Sequence, residues 1–319
     1  MGPAIGARLL ALMSVLDPEL TTHPSEPPGT AIERSITVDG LKRKCLVFVP
    51  GKPKEPMPVV FVLHGGGGNA RGTERYTQFN QAAEKVGFFV IYPDAVGSNW
   101  NDGRGVDSVV APKQNIDDVK FLRLLLEAVA RDHRLDRSRV FATGISNGAF
   151  MCHRLAAEAS DMIAAIAPVV GGMAPAMAAK FKPEYSVSIL IIQGEADPLV
   201  PIDGGDVGFP RGRKRGKVIP AKETLAKYLE RNGSEGTPTM STLAADPSDG
   251  TAVEISKYPD GPGGVKTYYY LVKNGGHAWP GRPAYLRETC IGKASQAFPA
   301  SEVICQFFAS CPPRSKHHP

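Results

Sequence analysis

Val140-Phe141-Ala142-Thr143-Gly144-Ile145-Ser146-Asn147-Gly148 runs from an apolar stretch into a serine framed by glycines, and residues 147–159 continue with apolar positions at helical spacing. This is a strand, a sharp turn and a helix in the order that the G-x-S-x-G elbow requires. The turn forces the serine into a strained backbone conformation and brings neighbouring chain so close that side chains at the flanking positions would collide. The helix that follows presents its N-terminus to the serine, where developing negative charge is favoured. Ser146 is therefore a candidate nucleophile.

Working outward, residues 58–63, 88–92, 164–170 and 188–192 are further apolar runs of the kind expected for strands buried on both faces. Helical periodicity lies between most of them, at residues 73–86, 116–132 and 221–232, the clearest stripe being Val119, Leu122, Leu126 and Val129. Residues 35–38 and 44–49, around Asp39-Gly40, read as an antiparallel hairpin at a sheet edge; residues 252–258 and 266–271 form a last strand pair before a helix at 300–308. The alternation predicts an α/β chain with a mostly parallel, doubly wound sheet and helices on both faces. The stretch between residues 170 and 188 is too short for a large helical lid, so an open site is expected.

A serine needs a base, and in this architecture the chain order is Ser, then Asp or Glu, then His, with the later two on loops after later strands. Asp197, in Gly194-Glu195-Ala196-Asp197-Pro198, follows the run 188–192, and His277, in Gly275-Gly276-His277-Ala278-Trp279-Pro280, follows 266–271. Glu195 and Asp203 are the rival carboxylates; Asp197 is preferred because its proline fixes a turn. His64 precedes the serine and breaks the order. His64-Gly65-Gly66-Gly67-Gly68 ends the run 58–63, where the first oxyanion donor is expected. The N–H groups of Asn147 and Gly66 are the predicted pair, with Gly67 the rival to Gly66. Trp100, in Trp100-Asn101-Asp102-Gly103-Arg104, and Trp279 are the only tryptophans and fall on loops at the same sheet edge, so both are candidate substrate-binding residues. Asp117 and Asp118 read as partners of a helix N-terminus.

Composition excludes several other classes. The 319 residues carry a formal charge of +5, and residues 211–217 alone supply five positives, so the remainder sums to zero. That stretch reads as a solvated glycine-containing loop, and no nucleic-acid partner is expected. Five cysteines at irregular spacing make neither a disulfide framework nor a zinc site, although Cys305 and Cys311 are close enough in sequence for a bridge. No metal or cofactor is implied. Arg8 and the apolar residues 9–16 have the order of a secretory leader but run into Asp17-Pro18-Glu19 with no small-residue cleavage site. No stretch reaches the ~18 apolar residues of a membrane span.

Taken together, Leu63-His64-Gly65-Gly66-Gly67-Gly68, Trp100-Asn101-Asp102-Gly103-Arg104, Gly144-Ile145-Ser146-Asn147-Gly148, Ala196-Asp197-Pro198-Leu199-Val200-Pro201 and Gly275-Gly276-His277-Ala278-Trp279-Pro280-Gly281 resemble the esterase and polyhydroxybutyrate depolymerase family, which includes feruloyl and acetylxylan esterases. The resemblance spans about residues 35–309. It implies an α/β-hydrolase fold and a serine carboxylic-ester hydrolase acting on feruloyl-type or acetyl esters of plant polysaccharide, or on small aryl or short-acyl esters. Polyhydroxybutyrate or its oligomers are the alternative substrate. It also implies a secreted or periplasmic protein. The expected organisation is a tether or weak leader over residues 1–30, a catalytic domain over 31–311 and a tail over 312–319. The basic stretch 211–217 has no counterpart in the family pattern. A serine peptidase of the prolyl-oligopeptidase type needs a large gating domain, for which there is no room, and a binding protein on the same scaffold typically loses a triad member, which this sequence does not.

Overall fold

Seven consecutive apolar or small residues from Met57 to Leu63 are all buried, and their alternate side chains serve two different cores. Val59, Phe61 and Leu63 pack with one cluster, Val60 and Val62 with the other. A strand whose two faces are both apolar needs cover on both sides, and that requirement organises the whole molecule. The computed structural model describes residues 29–53, 55–209, 212–243 and 248–314. The leader or tether reading, most of the expected tail and Arg211 lie outside the described residues.

In chain order the elements are β1 (Ala31–Val38), β2 (Leu41–Phe48), β3 (Met57–Leu63), α1 (Ala70–Thr77), α2 (Phe79–Val86), β4 (Phe89–Pro93), α3 (Val110–Lys113), α4 (Asp118–Val129), β5 (Leu135–Ile145), α5 (Asn147–Glu158), β6 (Ala165–Val169), α6 (Pro175–Ala178), β7 (Ser188–Gly194), β8 (Gly205–Asp206), β9 (Lys217–Val218), α7 (Ala221–Asn232), β10 (Thr239–Leu243), β11 (Ala252–Lys257), β12 (Thr267–Lys273), α8 (Glu288–Ile291) and α9 (Ala300–Ser310). A ten-stranded sheet has the order β1-β2-β4-β3-β5-β6-β7-β12-β11-β10. Its centre, from β4 through β3, β5, β6 and β7 to β12, is parallel. Both flanks, β1/β2/β4 and β12/β11/β10, are antiparallel.

Helices α4, α5 and α7 cover one face through Phe121, Leu122, Leu125, Met151, Leu155, Leu225 and Tyr228. Helices α1, α2 and α9 cover the other through Ala70, Phe79, Ala82, Ala83, Ile304 and Phe308. Phe141 of β5 stacks on Phe308 at 4.7 Å between ring centroids, locking the C-terminal helix to the central strand. Among the described residues no helix is long and apolar enough to cross a membrane.

Two elements differ from the sequence expectation. The single helix expected over 73–86 is broken at Gln78, which adopts left-handed geometry with φ 50°. The hydroxyls of Thr73 and Thr77 donate to the carbonyls of Asn69 and Thr73, four residues back, an arrangement that weakens helix continuation. Strand β10 is exposed along almost its whole length, including Met240 at 59%, so it carries no apolar alternation by which a sequence could announce it. Backbone pairing to β11 alone defines it.

Candidate active site

The carboxyl ends of the parallel strands point to one edge of the sheet, and the loops there bring the candidate residues together. Ser146 caps α5 with φ 56° and ψ −119°, a conformation that costs on the order of 1–3 kcal/mol for a residue with a Cβ. The surroundings hold it there. Its N–H donates to the carbonyl of Val169 at 3.0 Å, and its carbonyl accepts from Phe150 N–H at 3.0 Å. A Cβ on Gly148 would lie 2.3 Å from the Leu63 carbonyl oxygen and one on Gly144 2.7 Å from the same atom, so both glycines are required by the crossing of β3 beneath the turn.

Asp197 and His277 meet across two loops that are themselves tied, Ala196 N–H donating to the Gly275 carbonyl at 2.8 Å. His277 Nδ1 and Asp197 Oδ2 are 2.7 Å apart and both side chains are buried. The other carboxylate oxygen of Asp197 accepts from the N–H groups of Leu199 at 2.8 Å and Val200 at 2.9 Å, so the carboxylate is fixed as an acceptor on both sides. Nδ1 must then carry a proton, so in the neutral ring the lone pair falls on Nε2. Nε2 is buried and has no hydrogen-bond partner among the described residues. His277 and Ser146 both line one cavity of about 440 Å³. The rival Glu195 is bonded instead to Lys273 and to the N–H of Asn274, and the Lys273 ammonium holds its carboxyl below the usual range. Asp203 is exposed.

The glycine loop after β3 sorts its amides. Gly67 N–H donates to the Ser98 carbonyl at 2.8 Å and Gly68 N–H to Gly65 at 3.0 Å, whereas Gly66, which lines the cavity, donates to no group among the described residues. His64 anchors this loop from below: Nδ1–H donates to the Gly65 carbonyl at 2.8 Å, and Nε2 accepts from Ala95 N–H at 3.0 Å. With both nitrogens used in the neutral form and burial pushing its pKa down, His64 is a structural residue.

The Trp100-Asn101-Asp102-Gly103-Arg104 motif braces Asn147. Asn147 Oδ1 accepts from Trp100 N–H at 2.8 Å, and its Nδ2 donates to Asp102 Oδ2 at 2.5 Å. Asp102 is in turn held by the Arg104 guanidinium at 2.6 Å, which lies over the Phe150 ring. The Asn147 side chain is thus committed to fixing the start of α5, and its N–H at the helix N-terminus remains the group of interest. Asp117 caps α4 through Lys120 N–H, while Asp118 is fully buried and bonded to Arg43 at 2.7 Å and to Asn101 N–H at 2.8 Å, so only the first is a helix cap.

The tryptophans require a correction. Trp100 and Trp279 are both 0% exposed and neither lines the cavity. Trp100 Nε1 donates to the His64 carbonyl and Trp279 Nε1 to Ser301 Oγ, so each ring is core with its one polar atom satisfied inside. The cavity is walled instead by Leu199, Val200, Val207, Phe209, Tyr76, Tyr285 and Leu286, with Arg215 at the glycine loop. Sequence reasoning missed these residues. The available signal was the exposure-prone apolar pair Tyr285-Leu286 on a loop just past His277, 44% and 45% exposed, which has no role in the core. Cys305 and Cys311 are both buried but not bridged to each other.

The chain matches the family described as Esterase PHB depolymerase over residues 43–203, a span that holds Gly66, Ser146 and Asp197 and ends before His277. It is 29% identical over 288 residues to a putative esterase, NocK, of Nocardia uniformis subsp. tsuyamanensis, covering 88% of this chain and 83% of that protein. Feruloyl esterase B of Piromyces equi is 28% identical over 74% of this chain, which spans 42% of that longer protein. Poly(3-hydroxyalkanoate) depolymerase C of Paucimonas lemoignei is 26% identical over 76% of this chain and 60% of its own length. Among solved structures, an acetyl xylan esterase from Aspergillus awamori superposes with a TM-score of 0.51 at 18% identity, covering 74% of this chain and 89% of that one. The shared architecture is the α/β-hydrolase fold.

Proposed function

Because the chain belongs to the esterase PHB depolymerase family and is a carboxylic-ester hydrolase, we propose that it works through an acyl-enzyme on Ser146, with His277 as general base and Asp197 as the group that orients it. The observation that carries this reading is the Asp197–His277 pair, whose geometry puts the lone pair of the neutral ring on Nε2, an atom with no partner among the described residues, in a histidine that lines the same cavity as Ser146. As the Ser146 oxygen attacks the ester carbonyl carbon, its proton passes to Nε2. The carbonyl oxygen becomes an oxyanion received by the N–H groups of Asn147 and Gly66, each such donor contributing about 3 kcal/mol to the barrier reduction. His277 returns the proton to the departing alcohol. Water then repeats the sequence on the acyl-enzyme, releasing the acid and restoring Ser146.

For substrate we propose feruloyl-type or acetyl esters of plant polysaccharide, together with small aryl or short-acyl esters. A cavity of about 440 Å³ suits a small acyl or aryl group, and Tyr76, Tyr285 and Phe209 offer ring faces and edges to a planar one. Relatives named as feruloyl esterases support this reading. A hydroxyalkanoate oligomer is the second reading, supported by the relative named as a poly(3-hydroxyalkanoate) depolymerase. The peptidase and binding-protein alternatives draw support from neither the family match nor these relatives. Steady-state hydrolysis of 4-nitrophenyl acetate, methyl ferulate and a 3-hydroxybutyrate oligomer tests the choice. The proposal expects cleavage of the first two with the higher kcat/KM on one of them; a kcat/KM highest on the oligomer moves the assignment to the second reading.

A further inference from the structure

Strands β8 and β9 form a short ribbon beside the active site; Arg213, Lys214 and Arg215 lie between them and Lys217 is on β9. The ribbon does more than close a loop. Arg215 N–H donates to the Val207 carbonyl at 2.8 Å, Val207 N–H to the Gly216 carbonyl at 2.9 Å, and the Arg215 carbonyl accepts from Arg104 Nη1 at 2.9 Å. The backbone of Arg215 is thus fastened both to the ribbon and to the Asp102–Arg104 pair that braces Asn147. Gly216, with φ 84°, is where the two segments touch: a Cβ there would stand 2.9 Å from Arg104 Cβ.

Two of the cations around this point are paired. Arg104 is paired with Asp102 at 2.6 Å, and Lys217 with Asp206 at 3.0 Å. Arg215 has no acidic partner among the described residues, yet its guanidinium lines the catalytic cavity, with Nη1 3.5 Å from the position of a Cβ on Gly66. Arg213, Lys214 and Lys113 line an adjoining depression together with Asp107, which leaves an excess of positive charge outward from the cavity. A guanidinium presents paired N–H donors whose geometry matches a carboxylate, and no carboxylate of the cavity wall competes for it, since Asp and Glu are absent from the cavity lining among the described residues.

We propose that Arg215 is a specificity residue that selects esters bearing a free carboxylate a few ångströms from the scissile carbonyl. The inference rests on the esterase reading above and adds to its substrates esters that carry a free carboxylate beside the scissile bond, the hydroxyalkanoate oligomer of the second reading among them. A carboxylate can sit on either portion of the ester, on the acyl chain or on the alcohol, and two matched pairs separate these sources. The 3-hydroxybutyrate dimer and its carboxamide differ only in the charge on the alcohol portion; monoethyl adipate and ethyl 5-carbamoylpentanoate differ only in the charge on the acyl portion.

The experiment measures kcat/KM for both pairs with the wild type, Arg215→Gln and Arg215→Lys, alongside 4-nitrophenyl acetate. The wild type is expected to prefer the acid over the carboxamide by about tenfold or more in at least one pair, the discrimination that one charge-assisted hydrogen-bonded contact supplies. In Arg215→Gln that ratio collapses toward one, chiefly through KM; in Arg215→Lys it persists in part; and in the wild type it shrinks as salt is raised. An acid-to-amide ratio that is near one in the wild type, or that is the same in Arg215→Gln, overturns the proposal while 4-nitrophenyl acetate hydrolysis leaves the esterase reading standing. If the wild type cleaves none of the five esters, the esterase reading fails and this inference falls with it. Because the Arg215 side chain is exposed and the fastening bonds come from its backbone, Arg215→Gln is expected to melt with the wild type.

Discussion

Ser146→Ala is expected to reduce ester hydrolysis to within roughly 10³–10⁴-fold of the uncatalysed rate, a fall in kcat on the order of 10⁴-fold or more, while the melting temperature stays close to that of the wild type. The size of the loss follows from where the oxygen sits. The elbow places Ser146 on the cavity that His277 also lines, and His277 Nε2 has no hydrogen-bond partner among the described residues. No neighbouring residue of the turn can substitute, because Ile145 carries no nucleophilic atom and the Asn147 amide is spent on Trp100 and Asp102. Stability is spared because Ser146 side-chain oxygen caps nothing, and alanine keeps the same Cβ in the same strained backbone. Calorimetry and steady-state kinetics on the same preparation check both halves of the expectation.

Asp197→Asn is expected to lower kcat by on the order of 10⁴-fold without unfolding the protein, for a reason visible in its hydrogen bonds. One oxygen of Asp197 accepts two backbone N–H bonds, from Leu199 and Val200, and an asparagine that keeps this turn must place its amide oxygen there. Its NH₂ group then faces His277 Nδ1, where the carboxylate oxygen was 2.7 Å away. A donor in that position forces the proton of the imidazole onto Nε2, so the ring can no longer accept from Ser146. The loss is one of tautomer and charge, with geometry retained. Asp197→Ala, by contrast, also frees the two N–H groups and is expected to lower the melting temperature as well as the rate. Glu195→Gln serves as the control two residues away. It removes a surface pair with Lys273 and is expected to leave kcat within about twofold.

How much of this was legible in the sequence depended on whether a residue's role is fixed by local chain chemistry. Gly144 and Gly148 could be read because only glycine fits against the Leu63 carbonyl, and strand β3 could be read because both its faces are apolar. The order of Ser146, Asp197 and His277 was readable for the same reason: each follows a strand, and strand ends converge. The two tryptophans were misplaced because a loop position at the active edge does not say which way a ring turns. Trp100 and Trp279 turn inward, each finding an internal acceptor for its N–H. The cavity wall was missed because Leu199, Val207, Phe209 and Tyr285 are brought together only by the ribbon β8/β9 and by the loop after His277, contacts that no periodicity encodes. Arg215 was seen only as one charge in a basic run; its distinction from Arg213 and Lys217 is a matter of which neighbour each side chain meets. The break at Gln78 and the exposed strand β10 belong to the same class of feature, being set by hydrogen bonds with little hydrophobic pattern behind them.

Covalent chemistry at Ser146 is tested most directly by the mass of the intact protein, followed by peptide mapping, after treatment with a sulfonyl fluoride that reacts with activated serines. A single adduct is expected, carried by the peptide containing Ser146, absent from Ser146→Ala and formed far more slowly in His277→Ala. An adduct on another residue, or equal labelling of Ser146 with and without His277, would contradict it.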